Sequence, residues 1–142
     1  MSVEDNRTTV SAFLAHLAAQ DADGLLAIMA DEATWWVPSD QIGGQRHSKS
    51  QMAEILPAMF SVYAQAPKLE IGRMIASGDC VCAELTARGG KTRSGLTYEN
   101  DYLLLFALRD GEVREIREFL NPIFVGPLAA DVMRYADNAT TS

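Results

Sequence analysis

The chain has 142 residues, which is enough for one globular domain with its own core, and a second full domain is not expected. Nineteen Asp and Glu outnumber 12 Lys and Arg, and the formal net charge of -7 argues against the basic surface that nucleic-acid binding requires. The apolar runs are far shorter than the roughly 20 residues of a membrane helix, and the acidic N-terminus does not resemble a signal peptide. We therefore expect a cytoplasmic protein with neither a nucleic-acid nor a membrane partner.

The two cysteines, Cys80 and Cys82, lie two residues apart in a strand-like stretch, where a disulfide would be strained. A zinc site needs two more ligands, and His16 and His47 lack the spacing typical of zinc ligands. No dinucleotide-binding or phosphate-binding glycine motif occurs. The sequence therefore predicts free thiols, no metal and no cofactor.

The first 65 residues have helical periodicity and the rest are mostly strand-like, which indicates the α+β class. The capping pairs Ser2 with Asp5 and Ser48 with Gln51 mark two of the helix starts. In the first half we predict helices over 4–19 and 21–30, a short edge strand over 33–37, a polar loop over 39–47, and a third helix that ends before Pro67. In the second half we predict hairpins of 69–77 with 80–88 and of 97–108 with 112–120, and a final helix over 128–136.

These elements fit a curved, mostly antiparallel sheet that forms a cone, with the three N-terminal helices over its concave face and a short C-terminal helix. Residues 1–136 form the domain, and 137–142 are expected to be a disordered tail. If the even-numbered residues of the strand 97–108 face the inside of the cone, Leu103 and Leu105 lie on its outer face. Burial of these apolar side chains would then require a partner subunit. We therefore expect a homodimer.

Glu118 is the strongest candidate for a catalytic residue. It shares a strand face with Ile116 and Leu120, and burial there would raise the pKa of its carboxyl toward the range useful for proton transfer. The alternative is that Glu118 forms a structural ion pair with Arg114, Arg117 or Arg73. The sequence alone does not decide between the catalytic role and the ion pair. A β-bulge, indicated by Val113 beside Ile116, would reverse which face Glu118 occupies.

Several other polar side chains can line a pocket inside the cone together with Glu118. Tyr98, Tyr102 and Asn100 can orient a substrate oxygen, although strand tyrosines also pack with their hydroxyls in water. His47, in a loop with an unperturbed pKa near 6.5, suits a proton relay. The catalytic candidates are thus Glu118, Tyr98, Asn100 and His47. The substrate-binding candidates are Trp35 (or its neighbour Trp36), Tyr102, Phe13, Ile55, Met59 and Glu84. The alternative for Glu84 is that its side chain is exposed to solvent on the strand.

Two strings carry a resemblance to a known family. The stretch AAQDADGLLAIMADEATWWVP resembles the SnoaL-like, nuclear transport factor two-like superfamily, which has a cone-shaped α+β fold and includes ketosteroid isomerase and limonene-epoxide hydrolase. The stretch YENDYLLLFALRDGEVREIREFLNP is most similar to the dimeric phenazine-biosynthesis A/B proteins. That resemblance implies that Glu118 is a pocket acid/base and that Tyr98 lies in the pocket.

At several positions this sequence lacks the catalytic residues of these similar families, which argues against their specific reactions. Ile55 stands where the phenazine group has its pocket histidine, and Val37 stands where ketosteroid isomerase has its general base. Cys82 stands near the arginine of the epoxide hydrolase. We therefore expect a cofactor-independent isomerase, cyclase, lyase or hydrolase that acts on a small, largely apolar metabolite, with a non-catalytic binding protein or a dimeric interaction module as the alternatives.

Overall fold

In a computed structural model that describes residues 2–38 and 46–141, with side chains through Arg134, two helices open the chain. Helix α1 spans Val3–Ala18 and helix α2 spans Ala22–Ile28. The predicted capping pair is confirmed: the Ser2 hydroxyl accepts from the backbone N–H of Asp5, and the Asp5 carboxylate accepts from that of Ser2. The Asp21 carboxylate caps α2 by accepting from the Gly24 N–H.

Helix α3 spans Lys49–Ser61 and begins at the predicted Ser48–Gln51 capping box. It ends earlier than expected. Tyr63, which lies within the helix expected to continue toward Pro67, instead starts a short strand, β3, over Tyr63–Gln65. Pairing of this strand with the sheet outweighs the helical periodicity.

Seven strands form one curved, mixed sheet. Besides β3 they are β1 (Met29–Trp36), β2 (Arg46–Ser48), β4 (Lys68–Ser77), β5 (Cys80–Thr92), β6 (Thr97–Arg109) and β7 (Glu112–Leu120). The order is β2-β1-β7-β6-β5-β3, and β4 also pairs with β5. Among the described strand pairs, only that of β1 with β7 is parallel. The α+β cone fold is therefore confirmed.

The predicted edge position of the first strand needs correction. Strand β1 lies between β7 and β2, because Arg46 and His47, expected in a loop, form β2 together with Ser48 and pair with β1, with His47 opposite Trp35. The rest of the expected loop, 39–45, lies outside the described residues. This correction brings His47 onto the sheet beside Trp35.

Strand alternation confirms the predicted orientation of β6. Tyr98, Asn100, Leu104 and Phe106 are buried, whereas Leu103 is 43% exposed on the outer face. The predicted bulge is also present, since the β6–β7 register shifts between Ala107 and Leu108. It lies before Ile116, so Glu118 remains on the inner face.

The chain closes with a 3₁₀ turn, Pro122–Phe124, and helix α4, Val125–Thr141. This helix begins earlier and ends later than the predicted 128–136. Disorder of residues 137–142 in solution stays a prediction. Leu128 of α4 packs in a small cluster with Val62, Ala87 and Tyr98, so the helix closes the sheet end that carries the tyrosines. No described helix is long and apolar enough to cross a membrane.

Candidate active site

A cavity of about 130 Å³ lies between the inner face of the sheet, the C-terminal end of α1 and helix α3. Its walls are mostly aliphatic and thioether side chains, among them Leu17, Met52, Ile55, Leu56 and Met59. Ile55 and Met59, two of the substrate-binding candidates, therefore lie in the cavity wall, and their contact with a substrate stays a prediction. Ala18, at the end of α1, is a lining residue that is exposed to solvent.

Among the described residues, Glu118 is the carboxylic acid that lines this cavity. It lies opposite Leu104 on β6, and its Oε1 accepts a hydrogen bond of 3.1 Å from the indole Nε1 of Trp35. The arginines of the ion-pair alternative lie elsewhere: Arg114 pairs with Glu32, Arg73 pairs with Glu84, and Arg117 lies on the outer face. The alternative reading of Glu118 as an ion-pair member is therefore not supported.

Burial raises the pKa of Glu118 from 4.5 to about 7, and the hydrogen bond from Trp35 offsets part of this effect. The carboxyl group is thus divided between its charged and neutral forms near neutral pH. A group with that balance can both accept and return a proton.

Two phenol groups accompany the carboxyl. The hydroxyls of Tyr98 and Tyr102 are hydrogen-bonded to each other, and both side chains line the cavity. Tyr102 pairs with Leu120 across β6 and β7, so it is a diagonal neighbour of Glu118. Burial raises the pKa of both phenols, and the charge of Glu118 adds to the effect, so both stay protonated at neutral pH and can donate hydrogen bonds.

The predicted substrate contact of Asn100 needs correction. Its amide Nδ2 donates to the Tyr98 hydroxyl and to the Asn121 carbonyl, both at 3.1 Å. Its Oδ1 accepts from the backbone N–H of Asp101 at 2.9 Å and of Asn121 at 3.0 Å. Because the buried amide is engaged in this way, Asn100 orients Tyr98 and fixes the end of β7 instead of facing the cavity.

His47 lines the cavity, but its environment differs from the expected one. It lies on β2 rather than in a loop, and it is 7% exposed. Burial lowers the pKa of His47 below 6.5, so the imidazole is neutral at pH 7. Its Nε2 is buried and has no hydrogen-bond partner within the described structure.

Two substrate-binding candidates lie away from the cavity. Phe13 is fully buried in the core, with its ring centroid 5.7 Å from that of Trp35 and 5.2 Å from that of Phe106. Glu84 is on the outer face of β5, where it pairs with Arg73. Phe13 faces inward from α1 as expected, but the aromatic rings around it fill that space.

The open question between the two tryptophans resolves in favour of Trp35. Trp36 points to the outer face, where its ring centroid lies 5.4 Å from that of Phe119 and 4.6 Å from the Arg117 guanidinium carbon. Trp35 lines the cavity and is buried.

Sequence reasoning missed two polar lining residues, Tyr63 and Gln20. The helical spacing of Tyr63 hid its strand position. Gln20 follows α1 with a φ of 55°, in the left-handed region that non-glycine residues rarely adopt, and no sequence signal marks it. Within 2–38 and 46–141, no cluster of three His, Cys, Asp or Glu side chains is arranged to hold a metal ion.

Residues 10–116 match the model of the SnoaL-like domain family. Solved structures with the same fold include TerC co-crystallised with polyporic acid, which is 21% identical with a TM-score of 0.74 over 89% of this chain and 98% of that one. An NTF2-like protein from Burkholderia xenovorans LB400 is 24% identical, with a TM-score of 0.68 over 91% and 98% of the two chains.

A third similar structure, from Catenulispora acidiphila DSM 44928, has a ketosteroid isomerase-like fold and is in complex with trimethylamine. It is 17% identical, with a TM-score of 0.70 over 86% of this chain and 92% of that one. No curated protein matches the sequence. These likenesses concern the fold, and the chemistry has to be argued from the cavity.

Proposed function

The chain belongs to the SnoaL-like domain family, and on that premise we propose that it is a cofactor-independent acid–base enzyme. Its substrate is a small, largely apolar, cyclic metabolite, and the reaction is an isomerisation, cyclisation, dehydration or hydration. One observation carries the proposal: a carboxyl group with a pKa of about 7 lines an otherwise largely apolar cavity and is held there by an indole N–H.

In this proposal Glu118 moves the proton. Near neutral pH a useful fraction of Glu118 is ionised and can accept a proton from the substrate, and the neutral form can return it. The Trp35 N–H stabilises the charged form and fixes the direction of the carboxylate. The resemblance to the phenazine-biosynthesis proteins assigns the same acid/base role to Glu118.

The phenol pair supplies the complementary stabilisation. Asn100 donates to the Tyr98 oxygen, and Tyr98 and Tyr102 are bonded to each other, so one phenol proton remains for the cavity. Directed at a substrate oxygen that gains negative charge, such a preorganised donor commonly contributes about 10²-fold or more to the rate. The neutral His47 completes the polar wall as a hydrogen-bonding or relay group.

We further propose that the enzyme works as a homodimer. The outer sheet face exposes Ile75, Leu103 and Phe119, which are 63%, 43% and 39% accessible in the single chain. Apolar side chains gathered on one sheet face are typical of an interface. A second copy of the chain can cover this face by two-fold symmetry.

Replacing Glu118 by Gln tests the proposed chemistry. The wild-type protein is incubated with a panel of small cyclic ketones, enones, epoxides and alcohols, and products are sought by mass spectrometry. Glu118→Gln keeps the size of the side chain and an acceptor for the Trp35 N–H, but it removes the titrating proton. Turnover should be lost while substrate affinity stays within about tenfold, the pattern of lost transition-state stabilisation.

The matched control is Glu54→Gln, because Glu54 is an exposed glutamate on α3. This variant should turn over like the wild type. Normal turnover by Glu118→Gln would refute the mechanism. Tight binding of a panel compound that stays unchanged by the wild type would instead favour a binding protein, which needs the cavity but no proton-transferring group.

A further inference from the structure

The cavity differs from the rest of the protein surface because no Lys or Arg side chain of the described residues lines it. The chain has 12 Lys and Arg, all at positions within the described residues, and none of them lines the cavity. The segments 39–45 and 135–142 contain no Lys or Arg in their sequence, so they supply no further cationic side chain. A cation that could neutralise a bound anion is therefore missing from the cavity wall.

Several of the basic side chains have partners outside the cavity. Lys49 donates to the Met29 carbonyl and pairs with Asp31, and Arg88 pairs with Asp101. Arg117, although its strand also carries Glu118, extends over aromatic rings on the outer face. The absence of positive charge is thus a consequence of strand alternation and surface pairing.

The polar groups that face Glu118 are neutral. Tyr98 and Tyr102 on β6 and Tyr63 on β3 keep their protons at neutral pH, because burial raises the pKa of each phenol. His47 on β2 is uncharged. The lining residues of α1 and α3 include no titratable side chain, so within the part of the chain that the structure describes Glu118 is the lining group whose ionisation sets the charge of the cavity.

The size of the cavity limits the ligand further. Its volume of about 130 Å³ is close to the roughly 150 Å³ of an engineered apolar cavity in another protein that binds benzene. A ligand of about one six-membered ring therefore fits this volume. Gln20, which also lines the cavity, offers a neutral amide to a substituent on the ring.

We propose that this site selects an uncharged, oxygenated single-ring molecule and rejects the carboxylate of the same ring, because Glu118 faces the ligand with no cation beside it. The inference rests on the proposed function, since it defines the substrate class of the same cavity. The neutral donors serve a carbonyl or hydroxyl oxygen, whereas a second carboxylate is repelled by Glu118.

Proton linkage gives the proposal a quantitative signature. A carboxylate ligand can enter without charge repulsion when Glu118 is protonated. With a pKa of about 7 for Glu118, each pH unit above that value lowers the protonated fraction about tenfold. The dissociation constant of an anionic ligand should therefore rise by about tenfold per pH unit above pH 7, whereas that of a neutral ligand should change little.

The experiment compares 4-fluorobenzyl alcohol with 4-fluorobenzoate, which share one ring and differ in charge. Binding is measured by ¹⁹F NMR titration from about pH 6 to pH 9, a range that spans the titration of Glu118. For the wild type and for the Glu54→Gln control, the alcohol should bind with nearly constant affinity. The benzoate should bind at least tenfold more weakly than the alcohol at pH 8 and should weaken further with rising pH.

In Glu118→Gln the two affinities should come within about threefold and the pH slope should disappear. Equal binding of both probes by the wild type at pH 8 would overturn the proposal, as would binding of neither probe at millimolar concentration. If anions bind equally well but turnover still needs Glu118, the charge selection fails and the proposed function stands. If discrimination depends on Glu118 but turnover does not, the proposed function fails instead.

Discussion

The burial of Glu118 predicts that this carboxyl group contributes to the pH dependence of folding stability. The pKa of Glu118 is about 7 in the folded protein and 4.5 for the unperturbed group, so the folded state binds the proton more tightly than the unfolded chain. The stabilisation is therefore fully present below pH 4.5 and is lost as the pH rises through about 7. Glu118→Gln removes this contribution because the amide does not titrate.

The magnitude follows from the difference between the two pKa values. One pKa unit corresponds to about 1.4 kcal/mol, so raising the pKa from 4.5 to about 7 amounts to about 3 kcal/mol in the free energy of unfolding. Glu118→Gln should thus match the wild type near pH 4.5 and exceed its stability by about 2 to 3 kcal/mol at pH 8. The Gln oxygen still accepts from Trp35, so this hydrogen bond does not confound the comparison.

Urea denaturation of both proteins at a series of pH values measures the difference, with Glu54→Gln as the exposed control. The difference between Glu118→Gln and the wild type should grow between pH 4.5 and pH 7 and then level off. The control should follow the wild type throughout. A constant difference, or a substitution that destabilises more at pH 8 than at pH 4.5, would show that Glu118 is paired or solvated in the folded protein.

Three further outcomes follow from the same contacts. Trp35→Phe removes the N–H that holds the ionised carboxyl, so the pH transition of stability should move to higher pH than in the wild type. Asn100→Ala leaves buried partners unsatisfied and should lower the free energy of unfolding in urea by about 2 to 4 kcal/mol. Leu103→Glu places a charge on the outer face, so sedimentation velocity should show the 15.5 kDa monomer, where the wild type sediments at twice that mass.

Much of the fold could be predicted because local patterns agree with the tertiary structure. The capping boxes at Ser2 and Ser48 and the alternation along β6 depend on residues close in sequence, and all three are confirmed. The short strands β2 and β3 could not be predicted. Each has three residues and owes its conformation to pairing with a distant strand.

In the candidate site, the orientation of the strand residues could be predicted, but their hydrogen-bond partners could not. Strand parity places Glu118, Tyr98 and Tyr102 inward, as expected from alternation. The positions of Asn100 and Glu84 required knowledge of their partners: Asn100 bonds to a residue 21 positions away, and Glu84 pairs with an arginine across the hairpin. Hydrogen-bond partners of this kind arise from the register, which composition and periodicity do not specify.

The central claim is that the cavity holds a carboxyl group that exchanges its proton near neutral pH. The most direct measurement is a pH titration of the side-chain carboxyl carbons in protein labelled with ¹³C-glutamate, in which comparison with Glu118→Gln identifies the Glu118 signal. We predict a titration midpoint at about pH 7 for that signal. A midpoint near 4.5, the value of an unperturbed glutamate, would contradict the account.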